Sequence, residues 1–322
     1  MKTINATARG VERRPKVSVL MLTYNHARYI AQAIQSVFRQ DTTFEFELLI
    51  ADDCSTDGTA DVVRCLQQQY PGISLFAAKR NRGMYHNLAQ IFYRAKGEYI
   101  AFLEGDDFWI SPEKLQTQVQ HLESDRKSVL CFHQARLLED GQWTGAVFPQ
   151  IPESDLVFED FLKENWVPTC SAVFRRDALP LIPSWCADLK MLDWPMFLLL
   201  AQRGKVILLP EQLSAYRIHP AGVWSQLPPH RKSEQMIDVL RCVKQQVGKQ
   251  YATRIDRRIS ELYEHIAWCW EERKAFDEAL AASWKATLAA APFVNPQALS
   301  GCVRHALRAR FAMQRVTGSL QP

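Results

Sequence analysis

Three acids stand within four positions in Phe102-Leu-Glu-Gly-Asp-Asp-Phe-Trp109, namely Glu104, Asp106 and Asp107. They follow an apolar run, Glu98 to Leu103, that reads as a strand. Like charges at the end of a buried strand repel one another and lose hydration, so folding alone does not favour them there. A divalent cation relieves both costs. Closely spaced oxygen ligands suit Mg²⁺ or Mn²⁺, which bind few carboxylates and leave positions for substrate phosphates. The competing reading is an acidic turn ahead of a helix, because Ser111-Pro112-Glu113 is a good helix start.

Two more polar clusters sit at the ends of apolar runs. Val17 to Leu22 ends at Thr23-Tyr24-Asn25, and Phe46 to Ala51 ends at Asp52-Asp53. Between these runs the spacing turns helical: Ile30, Ala33, Ile34, Val37 and Phe38 fall on one face of a segment from Tyr29 to Arg39. Turn and cap chemistry in Ser55-Thr-Asp-Gly-Thr59 precedes a helix from Ala60 to Gln69. Ile73 to Ala77 reads as a third strand, Asn81-Arg82-Gly83 as a turn, and Asn87 to Ala95 as a helix before the strand at Glu98. This alternation predicts a mostly parallel, Rossmann-like α/β sheet with helices on both faces. Such sheets bind ligands beyond the C-terminal ends of their strands, where all three clusters fall.

The middle of the chain is less regular. Lys114 to Leu122 and Trp194 to Arg203 read as helices, Thr169 to Phe174 and Lys205 to Leu209 as strands. Composition shifts at Pro228-Pro229, and from Ser233 onward the pattern is helical. Glu261 to Trp270, Ala275 to Ala281 and Ala290-Ala-Pro292 resemble one tetratricopeptide-like helix pair, which by itself is no array. The expected organisation is a flexible N-terminus over 1–14, an α/β domain over 15–228 and a C-terminal α-helical appendage over 229–322. Cys302 to Val316 carries Arg304, Arg308, Arg310 and Arg315 among apolar residues and no acids. That pattern reads either as a solvated face or as a peripheral contact with anionic lipid.

Bulk properties narrow the function classes. The chain of 322 residues is 47% hydrophobic and 23% charged, as globular proteins are, and its net charge of +4 gives no case for a nucleic-acid partner. Eight cysteines are scattered without a C-x-x-C pair, which argues against a zinc site and fits reduced thiols in the cytoplasm. Neither a signal peptide nor a membrane-spanning run is visible.

The quoted segments together carry a family resemblance. Val17 to Asn25, Ile50 to Thr59, Asn81-Arg-Gly83 and Ala95 to Asp107 stand in the order found in glycosyltransferase family 2, which the chain resembles over roughly residues 15 to 225. The resemblance implies the GT-A fold and inverting transfer of a sugar from a nucleoside diphosphate donor, with UDP the first candidate. It further implies a glycan or lipid-linked acceptor, as in bacterial surface polysaccharide biosynthesis, at the inner face of the cytoplasmic membrane. It assigns nucleotide contacts to Thr23, Tyr24, Asn25, Asp53, Arg82 and Asp106. A divalent cation, Mn²⁺ or Mg²⁺, falls to Asp107 first and Asp106 second, with His219 of Tyr216-Arg-Ile-His219 as a further ligand. The family writes its metal motif Asp-x-Asp, and here the first position is Glu104. Asp193, in Leu192-Asp-Trp-Pro-Met, matches the acid that starts a helix and serves as base, and Asp188 is the runner-up. Each assignment has a plainer counterpart: Asp53 as a turn cap, Asp193 as a helix cap, Arg82 as a solvated loop residue, His219 as a loop histidine. Trp109, Trp166 and Trp185 could offer faces to sugars or fill the core.

Two other classes fit less well. A nucleotidyltransferase needs a glycine-rich, arginine-containing loop after the first strand, and Thr23-Tyr-Asn-His-Ala27 has no glycine. A non-catalytic adaptor, with a degenerate transferase domain and a helical tail, is allowed by Glu104 but disfavoured by the presence of Asp53, Asp106, Asp107 and Asp193. Oligomeric state is not legible.

Overall fold

The computed structural model describes residues 14–150 and 156–290. In chain order its elements are β1 (Val17–Thr23), α1 (Ile30–Phe38), β2 (Phe46–Asp52), α2 (Thr59–Gln69), β3 (Ile73–Ala77), α3 (Met84–Arg94) and β4 (Tyr99–Phe102). There follow β5 (Phe108–Trp109), α4 (Lys114–Ser124), β6 (Ser128–His133), β7 (Ala135–Glu139), β8 (Gln142–Phe148), α5 (Phe158–Phe161) and β9 (Val173–Arg175). The chain continues through α6 (Asp193–Arg203), β10 (Lys205–Leu209), β11 (Ser214–Ile218), α7 (Pro229–Lys244), α8 (Ala252–Glu272) and α9 (Phe276–Ala290).

The main sheet runs β10-β6-β9-β4-β1-β2-β3. Its pairs are parallel except where β9 lies antiparallel between β4 and β6. A smaller sheet, β5-β11-β7-β8, stands beside it. Alternation along β1 explains why helices cover both faces. Val17, Val19 and Met21 pack with Ile30, Ile34 and Val37 of α1, while Leu20 packs with Leu88, Ile91 and Phe92 of α3 on the other side. The second apolar cluster also takes in Phe197 and Leu200 of α6, Ile237 and Leu240 of α7, and Ile255 and Ile259 of α8. The C-terminal helices therefore share one core with the sheet. Among the described residues no helix is long and apolar enough to cross a membrane.

Two local expectations are corrected. The strand anticipated at 169–174 is a single 3₁₀ turn, Thr169–Ser171, followed by the short β9. Pro168 starts that turn, and its carbonyl accepts the Ser171 N–H at 2.8 Å. Helix α3 begins at Met84, directly after Gly83, whose φ of +81° turns the chain in a way a side chain would resist. The hairpin β7–β8 and strands β6 and β11 lay unseen in the irregular middle. Residues 1–13 and the basic stretch 302–316 lie outside the described residues.

Candidate active site

Parallel pairing brings the ends of β1, β2 and β4 to one edge. Thr23 pairs with Asp52 in register, and the ladder continues beyond the strands: Asp53 N–H donates to Thr23 O at 3.0 Å, Leu103 N–H to Leu20 O at 3.1 Å, and Gly105 N–H to Leu22 O at 2.9 Å. Backbone bonding alone thus carries the Asp52-Asp53 pair and the acidic turn to the two sides of Thr23.

At the β2 end the two acids divide the work. Asp52 accepts the Ser55 N–H at 3.0 Å and the Ser55 hydroxyl at 2.5 Å, so it caps the turn. Asp57 secures the next step, accepting the Thr59 N–H at 3.0 Å and the Ala27 N–H at 2.9 Å. Asp53 instead reaches across to the Asn81–Gly83 turn, where its two oxygens accept the Arg82 N–H at 2.7 Å and the Gly83 N–H at 3.0 Å. The Arg82 guanidinium turns onto α3 and donates to Asn87 and Gln90. Asn25 holds a left-handed φ of 58°, and its side-chain oxygen accepts the Thr56 N–H at 2.8 Å. Tyr24 is 47% exposed at the rim, so its ring is open to a ligand.

The acidic turn is held from several sides. His219 Nε2 lies 3.0 Å from Asp106 Oδ2, and His26 Nε2 lies 3.6 Å from the same oxygen. Asp107 faces inward, accepting the Arg217 N–H at 2.7 Å. The Arg217 side chain donates from Nε to Asp106 O at 2.6 Å and from Nη2 to Gln32 at 2.9 Å. Its guanidinium lies over Tyr29 at 4.6 Å and Phe108 at 5.2 Å. Burial pushes the Glu104 carboxyl well above its ordinary range, and the charges of Asp107, Asp106 and Asp193 add to the shift. Asp107 rises for the same reasons, burial first and Asp106 second. Burial also raises Asp106, but the His219 hydrogen bond and the charges of His26 and His219 outweigh it, so that group ends below its ordinary value.

Asp193 opens α6 and is fixed through Oδ2, which accepts from Asn165 Nδ2 at 2.7 Å and from Thr169 Oγ1 at 3.3 Å. Burial raises its carboxyl, partly offset by the Trp194 N–H and these side-chain donors. Asp188 is exposed, away from this constellation. Trp109 is buried with its indole on Cys170 O at 2.9 Å, Trp166 is half-buried, and Trp185 packs against the core.

The turn suits a divalent cation on its own chemistry. Carboxylate oxygens and an imidazole nitrogen are donors of the kind that Mg²⁺ or Mn²⁺ takes. Buried Thr23 Oγ1 and His26 Nδ1 beside it have no hydrogen-bond partner. Among the described residues no three such side chains are gathered round one point.

His26 and Arg217 belonged to quoted motifs, next to Asn25 and between Tyr216 and His219, yet their types alone assigned no role. Asn165 and Thr169 come from the irregular middle, where no motif marked Asn165 and Thr169 was read only as the start of a strand.

Known proteins resemble the chain along most of this frame. An uncharacterized protein of Mycobacterium tuberculosis is 33% identical over 210 residues, 65% of this chain and 60% of that protein. The putative teichuronic acid biosynthesis glycosyltransferase TuaG of Bacillus subtilis is 30% identical over 164 residues, 51% of this chain and 64% of its own length. The chain thus spans about 60% of the length of these relatives. Among solved structures, S. aureus TarS 1-349 in complex with UDP-GlcNAc superposes with a TM-score of 0.64 at 16% identity, covering 94% of this chain and 92% of that one. The mannosyltransferase PcManGT from Pyrobaculum calidifontis, in complex with GDP-Man and Mn²⁺, gives 0.60 at 19% identity, covering 96% and 88%. These likenesses fix the fold as GT-A. The family model for glycosyl transferase family 2 matches residues 18–181. With that match spanning half of its length and all the strand ends that build the site except β11, this chain belongs to glycosyl transferase family 2.

Proposed function

We propose that this chain is an inverting glycosyltransferase, moving a sugar from a nucleoside diphosphate donor to a hydroxyl of a glycan or lipid-linked acceptor in surface polysaccharide biosynthesis. What supports the reading is that Asp53 and the acidic turn 104–107 lie at the ends of the strands flanking β1, and that the charge of Asp193, at the start of α6, raises the Glu104 carboxyl. UDP leads the candidate nucleotides because the TarS structure holds UDP-GlcNAc, with GDP next because the mannosyltransferase holds GDP-Man. TuaG is named for teichuronic acid biosynthesis, which supports the polysaccharide context. The catalytic unit in this reading is 15–228, with 229–322 as a helical region. It acts in the cytoplasm at the membrane face, where the basic stretch 302–316 offers a contact.

In this reading Tyr24 stacks on the base, beside Thr23 and Asn25. Asp53 accepts from the pyrimidine or ribose while it braces the Arg82-Gly83 turn, so Arg82 contributes chiefly through its backbone N–H. Asp107 first, with Asp106 second and His219 as a further ligand, would hold a divalent cation, which when bound would neutralise charge on the departing diphosphate. The single N–H that Asp107 accepts from Arg217 leaves carboxylate lone pairs for the cation. Asp193 takes the proton of the acceptor hydroxyl as that oxygen attacks the anomeric carbon from the face opposite the diphosphate. A carboxyl raised by burial is a stronger base than an exposed one.

The test is calorimetric titration of UDP, dTDP and GDP with and without Mn²⁺, beside turnover of Asp193→Asn. One nucleotide is expected to bind only with metal, and Asp193→Asn is expected to keep that binding while losing transfer. Near-full turnover of Asp193→Asn refutes the base, and absence of any nucleotide binding returns the chain to the adaptor class.

A further inference from the structure

The residue that holds Asp193 in place is itself held by an unusual pair of pegs. Asn165 and Asp193 lie 28 positions apart, yet each is followed by a tryptophan. The Trp166 indole N–H donates to Asp160 O at 2.9 Å, and the Trp194 indole N–H donates to Phe161 O at 2.9 Å. Asp160 and Phe161 are consecutive residues of α5, the single helical turn that packs on α6. Both members of the Asn165–Asp193 hydrogen bond are therefore anchored to adjacent carbonyls of one turn. Trp194 and Phe161 are fully buried, and Trp166 is half-buried against the same core.

The Asn165 side chain is oriented from its other end as well. Its Oδ1 accepts the Val167 N–H at 3.2 Å, which leaves Nδ2 aimed at Asp193 Oδ2. An amide has one oxygen that accepts and one nitrogen that donates, so this backbone bond removes the flipped arrangement. Thr169 donates to the same carboxylate oxygen from the turn after Pro168. A base fixed in one orientation loses no time or entropy in finding its proton.

We propose that Asn165 is a positioning residue for the transfer reaction: its amide, locked by the Val167 N–H and the Trp166 and Trp194 pegs, orients the Asp193 carboxylate toward the acceptor hydroxyl. The inference rests on Asp193 being the base. Neither the family motifs nor the strand-end logic points to Asn165, because it touches neither donor cluster. On the sheet side the charge of Asp193 acts on Glu104 and raises its carboxyl. The Asn165 donor counters the effect of burial on Asp193, so its loss moves the ionisation of Asp193 upward.

The experiment is nucleotide release from a panel of UDP-, GDP- and dTDP-sugars with water as acceptor, measured across pH. Wild type, Asn165→Asp, Asn165→Ala and Asp193→Asn are compared, beside calorimetric titration of UDP and GDP with Mn²⁺. Asn165→Asp has the same shape but replaces the donor with a second carboxyl. It is expected to lose about 100-fold in kcat, Asn165→Ala about tenfold, both with nucleotide affinity within about twofold of wild type. In Asn165→Ala the acidic limb of the rate profile moves to higher pH, a readout that a merely structural role leaves still. Wild-type rates and profile in both Asn165 variants, with Asp193→Asn inactive, overturn this inference alone. An active Asp193→Asn removes the base and this inference with it. Where no sugar of the panel turns over, the Asn165 side-chain amide resonance decides: it is expected to follow a carboxyl titration that Asp193→Asn abolishes, and an amide that ignores that substitution overturns the proposal.

Discussion

Replacing Lys114 by Met should stabilise this protein at neutral pH, and the gain should vanish in alkali. Lys114 is the first residue of α4 and is fully buried, and its ammonium has no hydrogen-bond partner. Its nearest favourable contact is the Trp109 ring, 4.4 Å away. Burial pushes its pKa from 10.5 down to about 7, opposed only weakly by the nearby thiols of Cys170 and Cys131. The sign follows from proton counting. Below about pH 7 both folded and unfolded chains hold the proton, and the cost of burying the charge is fully present. Between about 7 and 10.5 only the unfolded chain holds it, so stability rises with pH. Above 10.5 the cost is gone. At about 1.4 kcal/mol per pH unit, the interval sets an upper bound of about 5 kcal/mol. The ring contact returns about 0.5–2 kcal/mol of this while the amine is charged. Methionine has similar length and no charge, so Lys114→Met is expected to gain about 2–4 kcal/mol at pH 7. Urea unfolding of both proteins at pH 7, 8 and 9 measures it, the wild type closing the gap by about 1.4 kcal/mol for each pH unit. His133, driven down to about 3 by burial and then by the charge of Lys114, stays neutral in the folded state throughout. A stability difference that is flat from pH 7 to 9 refutes the reasoning.

Two further substitutions probe the acidic turn. A Cβ at Gly105 would stand 2.8 Å from Thr23 Oγ1 and 2.9 Å from His26 Nδ1, so Gly105→Ala should cost about 1–3 kcal/mol in chemical unfolding and weaken Mn²⁺-dependent nucleotide binding. Arg217→Lys keeps the charge but loses the planar contact between Tyr29 and Phe108 and the paired bonds to Asp106 O and Gln32; it should weaken the same binding about tenfold or more in calorimetry, and unchanged affinity would remove Arg217 from the support of the turn.

Much of the sheet was legible because its strands are short apolar runs that end in polar residues. Val17 to Leu22, Phe46 to Ala51 and Ile73 to Ala77 needed only their own pattern, and parallel pairing then had to bring Thr23, Asp53 and Glu104 to one edge. Strand β8 failed that test because its residues are mostly exposed, leaving little hydrophobic pattern to read. The 3₁₀ turn at Thr169 failed because Cys170 and Ser171 are buried like strand residues, while the Ser171 N–H bonds locally to Pro168 O instead of joining a strand ladder.

What the amino-acid sequence determined by itself was the order of the first strands and helices and the placing of carboxylates at strand ends, since both depend on periodicities of two and 3.6 and on neighbouring residues. What only the tertiary structure decided was which carboxylate faces where. Asp52 and Asp53 are adjacent and chemically identical, but one caps Ser55 and the other holds the turn at Arg82, 29 positions away. Asp106 meets His219 while Asp107 meets the Arg217 backbone, and Asp193 is fixed by Asn165. These choices depend on hydrogen bonds between residues far apart in the chain, and no local pattern encodes the direction of a side chain toward a partner that folding alone brings near.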